Sequence, residues 1–353
     1  MVDIAASARS GFSRRVIGWQ KANGRHDLPW QQTGDPYRIW LSEIMLQQTQ
    51  VQTVIPYYAR FLARFPTLSV LAGAPVDSVL ELWSGLGYYA RARNLHRCAQ
   101  TVLVERAGKF SANPEENARL PGIGRSTAAA ISVFAFGRQA AILDGNVKRV
   151  LGRCFAVESG SSAAQDERTM WALAESLLPA SGIESYTQGM MDLGAAVCRR
   201  SKPACGACPL QEICIARRDG RQAELPQRQA RPALPQRVSS VLLLTDGRRV
   251  LVERRPPMGI WGGLLSLPEE PGQGAEGFAL RHGCRLLSTR TLAPIRHSFT
   301  HFRLIIQVLR CEVEVLSGGV SETAVEWLPL ENVAAAALPA PIKRLLLAAR
   351  LGR

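Results

Sequence analysis

Residues 120–150, LPGIGRSTAAAISVFAFGRQAAILDGNVKRV, contain two turns between helical patterns. In the first turn, Gly122 and Gly124 let backbone N–H groups converge with no side chain in the way. The small, apolar run Arg125–Phe136 then predicts a helix that Gly137 ends. Backbone N–H groups at a helix N-terminus bind anions such as phosphate, although an ordinary pair of packed helices would use the same turn.

The second turn, Leu143-Asp144-Gly145-Asn146, precedes another helical pattern. Asp-Gly is common turn chemistry, so one interpretation of Asp144 is simply a cap for the next helix. The alternative is a carboxylate that a rigid turn delivers to whatever the glycine turn binds. Together the two turns resemble the helix-hairpin-helix and downstream aspartate of the endonuclease III superfamily of DNA glycosylases.

Composition sets the limits within which these motifs act. A chain of 353 residues has room for two or three domains with real cores. Its 43 basic and 29 acidic residues give a net charge of +14, which favours a polyanionic partner. No apolar run is long enough to span a bilayer. Near the N-terminus, arginines among serines are typical of a transit peptide, but Phe12, Val16, Ile17 and Trp19 predict an amphipathic helix.

A helix that starts at Asp35-Pro36 carries the most informative acid, Glu43. Glu43 follows Ile39 by four residues and Trp40 by three, so it projects from the apolar stripe. A carboxylate there needs a cation, a proton or a cavity. It is either half of a buried salt bridge or an acid whose pKa is raised by burial so that it donates a proton near neutrality.

Two further stretches offer contacts for a nucleic acid. Gln48 and Thr49 belong to a row of uncharged hydrogen-bonding side chains at the end of the Glu43 helix, and they either cap it or probe base edges. Leu86 and Tyr88 lie in a glycine-flanked loop that leads into a basic helix, which predicts an exposed tip. Such tips wedge into base stacks, although they also pack against their own loop.

Four cysteines within seventeen residues, Cys198-x6-Cys205-x2-Cys208-x5-Cys214, predict a metal site. Structural zinc sites usually have two short C-x2-C knuckles, and only one is present here. Iron–sulfur clusters accept more varied spacing. Spacing alone leaves both metals open.

The C-terminal third changes character. Residues 217–237 are rich in arginine and proline and predict a linker. Helices are expected between 159 and 188, near Gly277 and at 342–349, and strands at 238–245, 249–254, 264–267 and 304–315, with Asp246-Gly247 as a two-residue hairpin turn. The pattern after the linker is that of a second, α/β domain.

This second domain resembles the Nudix fold in residues 253–269. Nudix hydrolases need a glutamate-rich helix to hold divalent metal, whereas residues 271–282 contain one glutamate, Glu276. Pyrophosphate hydrolysis is therefore not expected, and a recognition role remains. His297, Phe299 and His301 share one face of a strand or loop, as a structural patch or as a reader of DNA.

Over nearly all 353 residues the chain resembles the MutY-type adenine DNA glycosylases of the endonuclease III superfamily. The resemblance implies a mainly α N-terminal region of two helical lobes plus a C-terminal α/β Nudix-like domain. The implied domains are an iron–sulfur lobe (1–23 and 145–216), a helix-hairpin-helix lobe (24–144), a basic linker (217–237) and an 8-oxoguanine recognition domain (238–353). DNA would lie in the cleft between the two lobes, and the C-terminal domain would clamp it.

The same resemblance assigns residue roles. It implies that Glu43 protonates adenine at N7, Asp144 stabilises the sugar cation and Asn146 positions water and the acid. The remaining assignments are an adenine pocket (Arg25, Trp30, Ser126, Gln188), a wedge (Gln48, Thr49, Leu86, Tyr88), an 8-oxoguanine reader (Phe299, Thr300, His301), a phosphate turn (Gly122, Gly124) and a 4Fe–4S cluster (Cys198, Cys205, Cys208, Cys214).

Ser126 decides the expected reaction type. Bifunctional members of the superfamily carry a lysine at this position, whose amine attacks the sugar, and serine has no comparable nucleophile. We expect a monomeric, bacterial-type cytoplasmic enzyme at the nucleoid, with no membrane partner. It would excise adenine opposite 8-oxoguanine or guanine in double-stranded DNA without an efficient lyase step. The rivals are a thymine mismatch glycosylase of the same superfamily and a non-catalytic damage sensor.

Overall fold

The computed structural model describes residues 6–158, 160–227, 233–270, 272, 274–316 and 325–350. Residues 228–232 of the predicted linker, and the outermost residues of the predicted terminal domains, lie outside this set. In the described part of the chain no helix is long and apolar enough to cross a membrane. The chain divides into two compact units, Met1–Gly73 with Arg97–Ala230, and Ala74–His96 with Arg231–Arg353.

The helices are α1 (Ala6–Asn23), α2 (Pro36–Leu46), α3 (Val51–Arg64), α4 (Leu68–Gly73), α5 (Val76–Trp83), α6 (Ala90–Glu105), α7 (Pro114–Asn117), α8 (Arg125–Phe136), α9 (Gly145–Cys154), α10 (Ala163–Ser176), α11 (Ile183–Asp192), α12 (Ile215–Arg218), α13 (Gly274–Arg281) and α14 (Ala340–Arg350). A π-helical turn, Leu193–Val197, continues α11. The predicted helix Arg125–Phe136 is confirmed, and it ends because Gly137 adopts the left-handed conformation at φ 61°.

Both ends of α2 follow from its sequence. Asp35 accepts a hydrogen bond from the Tyr37 N–H at 2.9 Å and so caps the helix as predicted. The helix stops at Leu46 with Gln47 as its C-cap, so the row of glutamines begins at the helix end, as expected, and continues through the turn before α3. Gln48 has φ 56°, a left-handed backbone that cannot continue an α-helix.

The first unit is built around a helical core. The apolar face of α1 supplies Phe12 and Val16, both fully buried, which confirms the amphipathic helix expected from their spacing. They pack with side chains of α8, α9, α10 and α11, and with Leu193 in the π-helical turn. This packing fixes the helices that carry the predicted catalytic turn and the cysteine segment.

The second unit contains a seven-stranded mixed sheet. Its strands are β1 (Gln236–Thr245), β2 (Arg249–Arg254), β3 (Leu265–Ser266), β4 (Cys284–Thr291), β5 (Ile295–Ser298), β6 (Arg303–Val315) and β7 (Val325–Pro329). The order is β3-β2-β1-β6-β4, with β7 paired to β2 and β5 to β6, and β1 runs parallel to β6. Three residues, 246–248, join β1 to β2, one more than the predicted two-residue turn.

Alternate residues of β1 reach opposite faces of the sheet. Val241 and Leu243 join a core with α14, whereas Leu242 and Leu244 join a core with α13. The predicted fold class is confirmed: a helical N-terminal region and a C-terminal domain with a mixed sheet.

Candidate functional site

A cavity of about 370 Å3 opens in the first unit among the end of α1, the loop after it, α2 and α11. Its volume is typical of a site for a small organic group. Four residues predicted to take part in adenine chemistry line this cavity, namely Arg25, Trp30, Glu43 and Gln188. The fold thus joins residues that are far apart in the sequence.

Glu43 is the acid of this cavity. Burial raises the pKa of Glu43 from its ordinary value to about 7, and the negative charge of Asp144 contributes to this rise. Within the described residues no arginine or lysine forms an ion pair with this carboxyl group. Of the two alternatives left open by the sequence, the buried salt bridge is therefore absent from the described part, and the acid with a raised pKa is present.

Asp144 occupies the cap of α9. One of its oxygens accepts hydrogen bonds from the backbone N–H groups of Asn146, at 2.9 Å, and Val147, at 2.8 Å. The other oxygen accepts a hydrogen bond from the side-chain amide of Asn146 at 3.4 Å. Asp144 is thus a cap of α9, which was one of the two interpretations of the sequence. The cap has a second effect. It also holds the carboxylate in one orientation near Glu43, because the cap fixes the side chain against the first turn of the helix.

Ser126 is expected from the sequence to line the adenine pocket. It is not among the residues that surround the cavity. Its hydroxyl oxygen instead accepts a hydrogen bond from the backbone N–H of Leu143 at 3.1 Å. Leu143 directly precedes Asp144 in the chain. The reason is its position in the first turn of α8, which packs beside the Asp144 turn. Ser126 therefore holds the turn that carries the second carboxylate.

Asp192 is a residue that the sequence did not single out. It is 2% exposed, and its carboxylate accepts the Nε–H of Arg25 at 2.7 Å and the side-chain amide of Gln188 at 2.8 Å. The Arg25 backbone N–H also donates to it, at 2.9 Å. One buried anion thus orients two cavity residues. Its four-residue spacing from Gln188 on α11 was the available signal.

Arg149 is a second residue that the sequence missed. Its guanidinium donates to the side-chain oxygen of Asn146 at 2.8 Å and to the carbonyl of Cys198 at 2.6 Å. Gly194 packs against Asn146 so closely that a Cβ on this glycine would lie 2.4 Å from the Asn146 Cβ. Asn146 is therefore held by Arg149 of its own helix and packs against Gly194 in the π-helical turn before Cys198.

The glycine turn before α8 has the geometry of an anion site. Gly122 has φ 76°, and Gly124 is the cap residue of α8. Because Gly124 has no side chain, it cannot bond the first N–H groups of the helix. Among the described residues, no side chain of the cap residue accepts from these N–H groups, which is the arrangement that anion sites at helix N-termini use.

The predicted wedge residues are not all exposed. Gln48 and Tyr88 have left-handed backbones, with φ 56° and 50°, and the Tyr88 side chain is exposed. Thr49 donates its hydroxyl to the Gln47 carbonyl at 3.3 Å. Leu86, expected at an exposed tip, is only 6% exposed. The exposed tip is therefore wrong for Leu86, because an apolar side chain in this loop turns inward while Tyr88 turns out.

In the second unit, the predicted recognition residues lie in the turn between β5 and β6. His297 is in β5, and Phe299 stacks on buried Phe302 with ring centroids 4.5 Å apart. The Thr300 hydroxyl and a ring nitrogen of His301 are 3.3 Å apart at the exposed tip. Thus Phe299 packs within the domain, whereas the side chains of Thr300 and His301 are exposed.

The four cysteines surround one small cavity in the first unit. Arg153, which is 4% exposed, donates to the sulfur of Cys198 at 3.4 Å and to the carbonyl of Arg199 at 2.7 Å. In the described part of the chain, no three His, Cys, Asp or Glu side chains are arranged to hold a metal ion. Four thiols with a buried arginine beside one of them are the donor types that both an anionic iron–sulfur cluster and a zinc ion take.

Comparison with known proteins places these features in a family. Residues 41–176 match the HhH-GPD superfamily of base excision DNA repair proteins, and residues 240–348 match the NUDIX domain. An adenine DNA glycosylase of Buchnera aphidicola is 34% identical over 337 residues, 95% of this chain and 95% of that protein.

Two solved structures are similar to the helical region. A thermostable thymine-DNA glycosylase is 28% identical with a TM-score of 0.54, and it covers 60% of this chain and 97% of its own. Endonuclease III in a non-covalent DNA complex is 20% identical with a TM-score of 0.50, over 60% of this chain and 97% of its own, which shows a shared fold.

Proposed function

The chain belongs to the adenine DNA glycosylases of the HhH-GPD superfamily, and on that premise we propose that it excises adenine paired with 8-oxoguanine or guanine in double-stranded DNA. It is an enzyme of base excision repair that cleaves the bond between base and sugar. The observation that carries the proposal is a glutamic acid with a pKa of about 7 in a base-sized cavity beside a second carboxylate.

The proposed reaction uses two carboxyl groups in different roles. Glu43, protonated near neutrality, gives its proton to adenine at N7 and makes the base a better leaving group. Asp144, which is held by N–H groups in the first turn of α9, stabilises the positive charge that develops on the deoxyribose. Asn146, held by Arg149, positions water and the acid.

The cavity accepts an adenine that has left the base stack. Trp30 supplies an aromatic wall, and it is itself fixed by an edge contact to Tyr58 at 5.3 Å. Arg25 and Gln188, both held by Asp192, supply polar contacts to the base. Base flipping is required because the glycosidic bond is not accessible inside the duplex.

Flipping leaves a gap in the duplex, and the proposed wedge residues act there. Gln48, Thr49 and Tyr88 carry this role in the proposal. Leu86 would join them only by leaving its buried position. Filling the gap offsets part of the cost of unstacking the flipped base.

The glycine turn and the net charge of +14 support DNA as the partner. Gly122 and Gly124 present N–H groups to a phosphate at the start of α8. We propose that the enzyme binds as a monomer to chromosomal DNA. No base specificity follows from these contacts, because the phosphate is the same at every position.

The second unit is proposed to read 8-oxoguanine with Thr300 and His301. Both lie at the tip of a turn that the stacked pair Phe299 and Phe302 supports. Hydrolysis is not proposed, since α13 carries Glu276 alone. Changing Thr300→Val together with His301→Ala should abolish the preference for 8-oxoguanine over guanine opposite adenine and leave release from guanine pairs unchanged. A retained preference would overturn this assignment.

A 4Fe–4S cluster is proposed at Cys198, Cys205, Cys208 and Cys214. When bound, it would order the loop as a structural group, and the chain itself would then present Arg199, Arg200 and Lys202 to DNA phosphates. Purified protein should contain about four iron and four sulfide per chain. Zinc in place of iron, or iron content unaffected by Cys208→Ser, would contradict the proposal.

The proposed reaction is base removal without an efficient lyase step. Serine at position 126 cannot form an imine with the sugar, and its hydroxyl oxygen is engaged by Leu143. A stoichiometric borohydride-trapped adduct of the wild-type enzyme, or strand nicking without added base, would contradict this.

Single-turnover release from four duplexes tests the whole assignment. Adenine or thymine is placed opposite guanine or 8-oxoguanine, and we expect release from the adenine duplexes alone. Glu43→Gln should lower the rate by on the order of 10²–10³ or more, while Glu212→Gln, an exposed change on the first unit, should not. Thymine release would favour the mismatch glycosylase, and native-rate adenine release by Glu43→Gln would remove the acid assignment.

A further inference from the structure

One face of α10 forms ion pairs with two basic side chains that lie next to the proposed catalytic turns in the sequence. Glu167, Trp171 and Glu175 are spaced four residues apart and so form a stripe along one side of the helix, here called the α10 stripe. Glu167 forms an ion pair with Lys148, and Glu175 forms one with Arg125.

The central tryptophan connects the two pairs. The indole N–H of Trp171 donates to Glu167 at 3.0 Å, and the guanidinium of Arg125 lies 3.9 Å from the centre of the indole ring. Trp171 is 8% exposed, so it is a rigid support. Glu167 is thereby held by one donor while it binds the ammonium of Lys148.

Lys148 lies close in the chain to the proposed catalytic residue Asp144. Lys148 lies in the first turn of α9, and its backbone N–H donates to the carbonyl of Asp144 at 2.9 Å. Lys148 is therefore part of the same helical turn that presents the proposed sugar-stabilising carboxylate. Arg125 begins α8, directly after the glycine turn.

Base release leaves a deoxyribose that opens to an aldehyde at C1′. An unprotonated lysine amine can attack this carbon with its lone pair and form a C–N bond. The two amine hydrogens and the carbonyl oxygen then leave as water, and an imine remains. A protonated ammonium has no lone pair and does not react.

We propose that Glu167 suppresses imine formation between Lys148 and the abasic product. The carboxylate binds the amine as an ammonium and holds it against α10. The hydrogen bond and the charge of Lys148 lower the pKa of Glu167, so the carboxylate is charged throughout the neutral range. The inference rests on the proposed placement of the deoxyribose at Asp144.

The α10 stripe supplies its own matched control. Glu175→Gln removes the same charge from the same helix face as Glu167→Gln. Its partner Arg125 cannot form an imine, because a guanidinium stays protonated. A general gain in DNA affinity from losing one negative charge would appear in both variants, whereas release of Lys148 would appear in Glu167→Gln alone.

The test is borohydride trapping on the adenine·8-oxoguanine duplex, with single-turnover adenine release measured in parallel. Glu167→Gln should raise the trapped fraction several-fold over wild type, and Glu175→Gln should not. Adding Lys148→Arg to Glu167→Gln should return trapping to the wild-type level. All variants should release adenine at similar rates, which also shows that they are folded.

Three results would overturn the inference: no increase in Glu167→Gln, an equal increase in Glu175→Gln, or an adduct that persists after Lys148→Arg. The proposed function fails separately. If the wild type releases no adenine, trapping can still be measured on a duplex that already contains an abasic site.

Discussion

Glu43 and Asp144, on α2 and at the cap of α9, are close enough that the charge of Asp144 helps to raise the pKa of Glu43, after burial as the larger cause. Their surroundings differ. Glu43 lines a cavity, whereas Asp144 accepts hydrogen bonds from the first N–H groups of α9. Two carboxylates with unequal surroundings are what acid catalysis beside an anionic stabiliser requires.

Adenine release should depend on pH through Glu43. Its pKa is raised by burial to about 7, and the protonated form is the proton donor. The single-turnover rate should therefore be level below pH 7 and fall by about tenfold per pH unit above it. For Glu43→Gln, measured in the same buffers, the rate should not fall above pH 7 in this way. A wild-type rate that stays level well above pH 7 would contradict the prediction.

The same pKa predicts a stability cost. A folded pKa above the unfolded value means that the ionised form of Glu43 disfavours the fold as pH rises from about 4.5 towards 7, with a constant cost above that. Glu43→Gln should increase the free energy of unfolding by up to about 3 kcal/mol at pH 8 and by much less at pH 5. Urea unfolding at both pH values measures it, and an equal change at both would refute it.

Asp192→Asn should weaken both the fold and the adenine pocket. The change removes the charge that Arg25 and Gln188 share, so two cavity residues lose their orientation. We expect a loss of about 2–4 kcal/mol in unfolding free energy, because a mostly buried ion pair is broken. Glu212→Gln, which breaks the exposed pair with Arg15, should cost less than about 1 kcal/mol. Equal costs in the two variants would argue against the role of Asp192.

Ser126→Ala should act on catalysis through the Asp144 turn. The buried N–H of Leu143 loses its acceptor, which costs about 1–2 kcal/mol. Adenine release should slow, but less than after loss of the Asp144 carboxylate, since the carboxylate is retained. Ser126→Thr keeps the hydroxyl and should behave almost as wild type. If alanine and threonine variants release adenine equally fast, the hydrogen bond has no role in catalysis.

Several features were predictable because their causes are local. Asp35 was expected at the start of a helix, and it accepts a hydrogen bond from the N–H two residues onward. Gly137 was expected to end α8 because only a residue tolerant of positive φ suits that position. The turn after β1 is one residue longer than expected, since Arg248 joins Asp246 and Gly247 outside the strands.

Other features depend on contacts between distant segments, and local sequence gives little or no signal for them. The inward turn of Leu86 and the link from Ser126 to Leu143 depend on neighbours that sequence spacing does not reveal. Asp192 is an ordinary helical aspartate in the sequence. Only its burial beneath Arg25 and Gln188 shows what it does.

The sequence by itself determined several of the helices, four of the seven described strands, the cysteine motif and the residue types available for acid chemistry. These follow from periodicity, capping and turn chemistry, which act over a few residues. Only the tertiary structure shows that Glu43 lines a cavity and, among the described residues, forms no ion pair with a lysine or arginine. It also shows that the charge of Asp144 helps to raise the pKa of Glu43 and that Glu167 binds Lys148. Burial and electrostatic pairing arise between segments far apart in the chain, so packing must bring them together before a pKa or an ion pair exists.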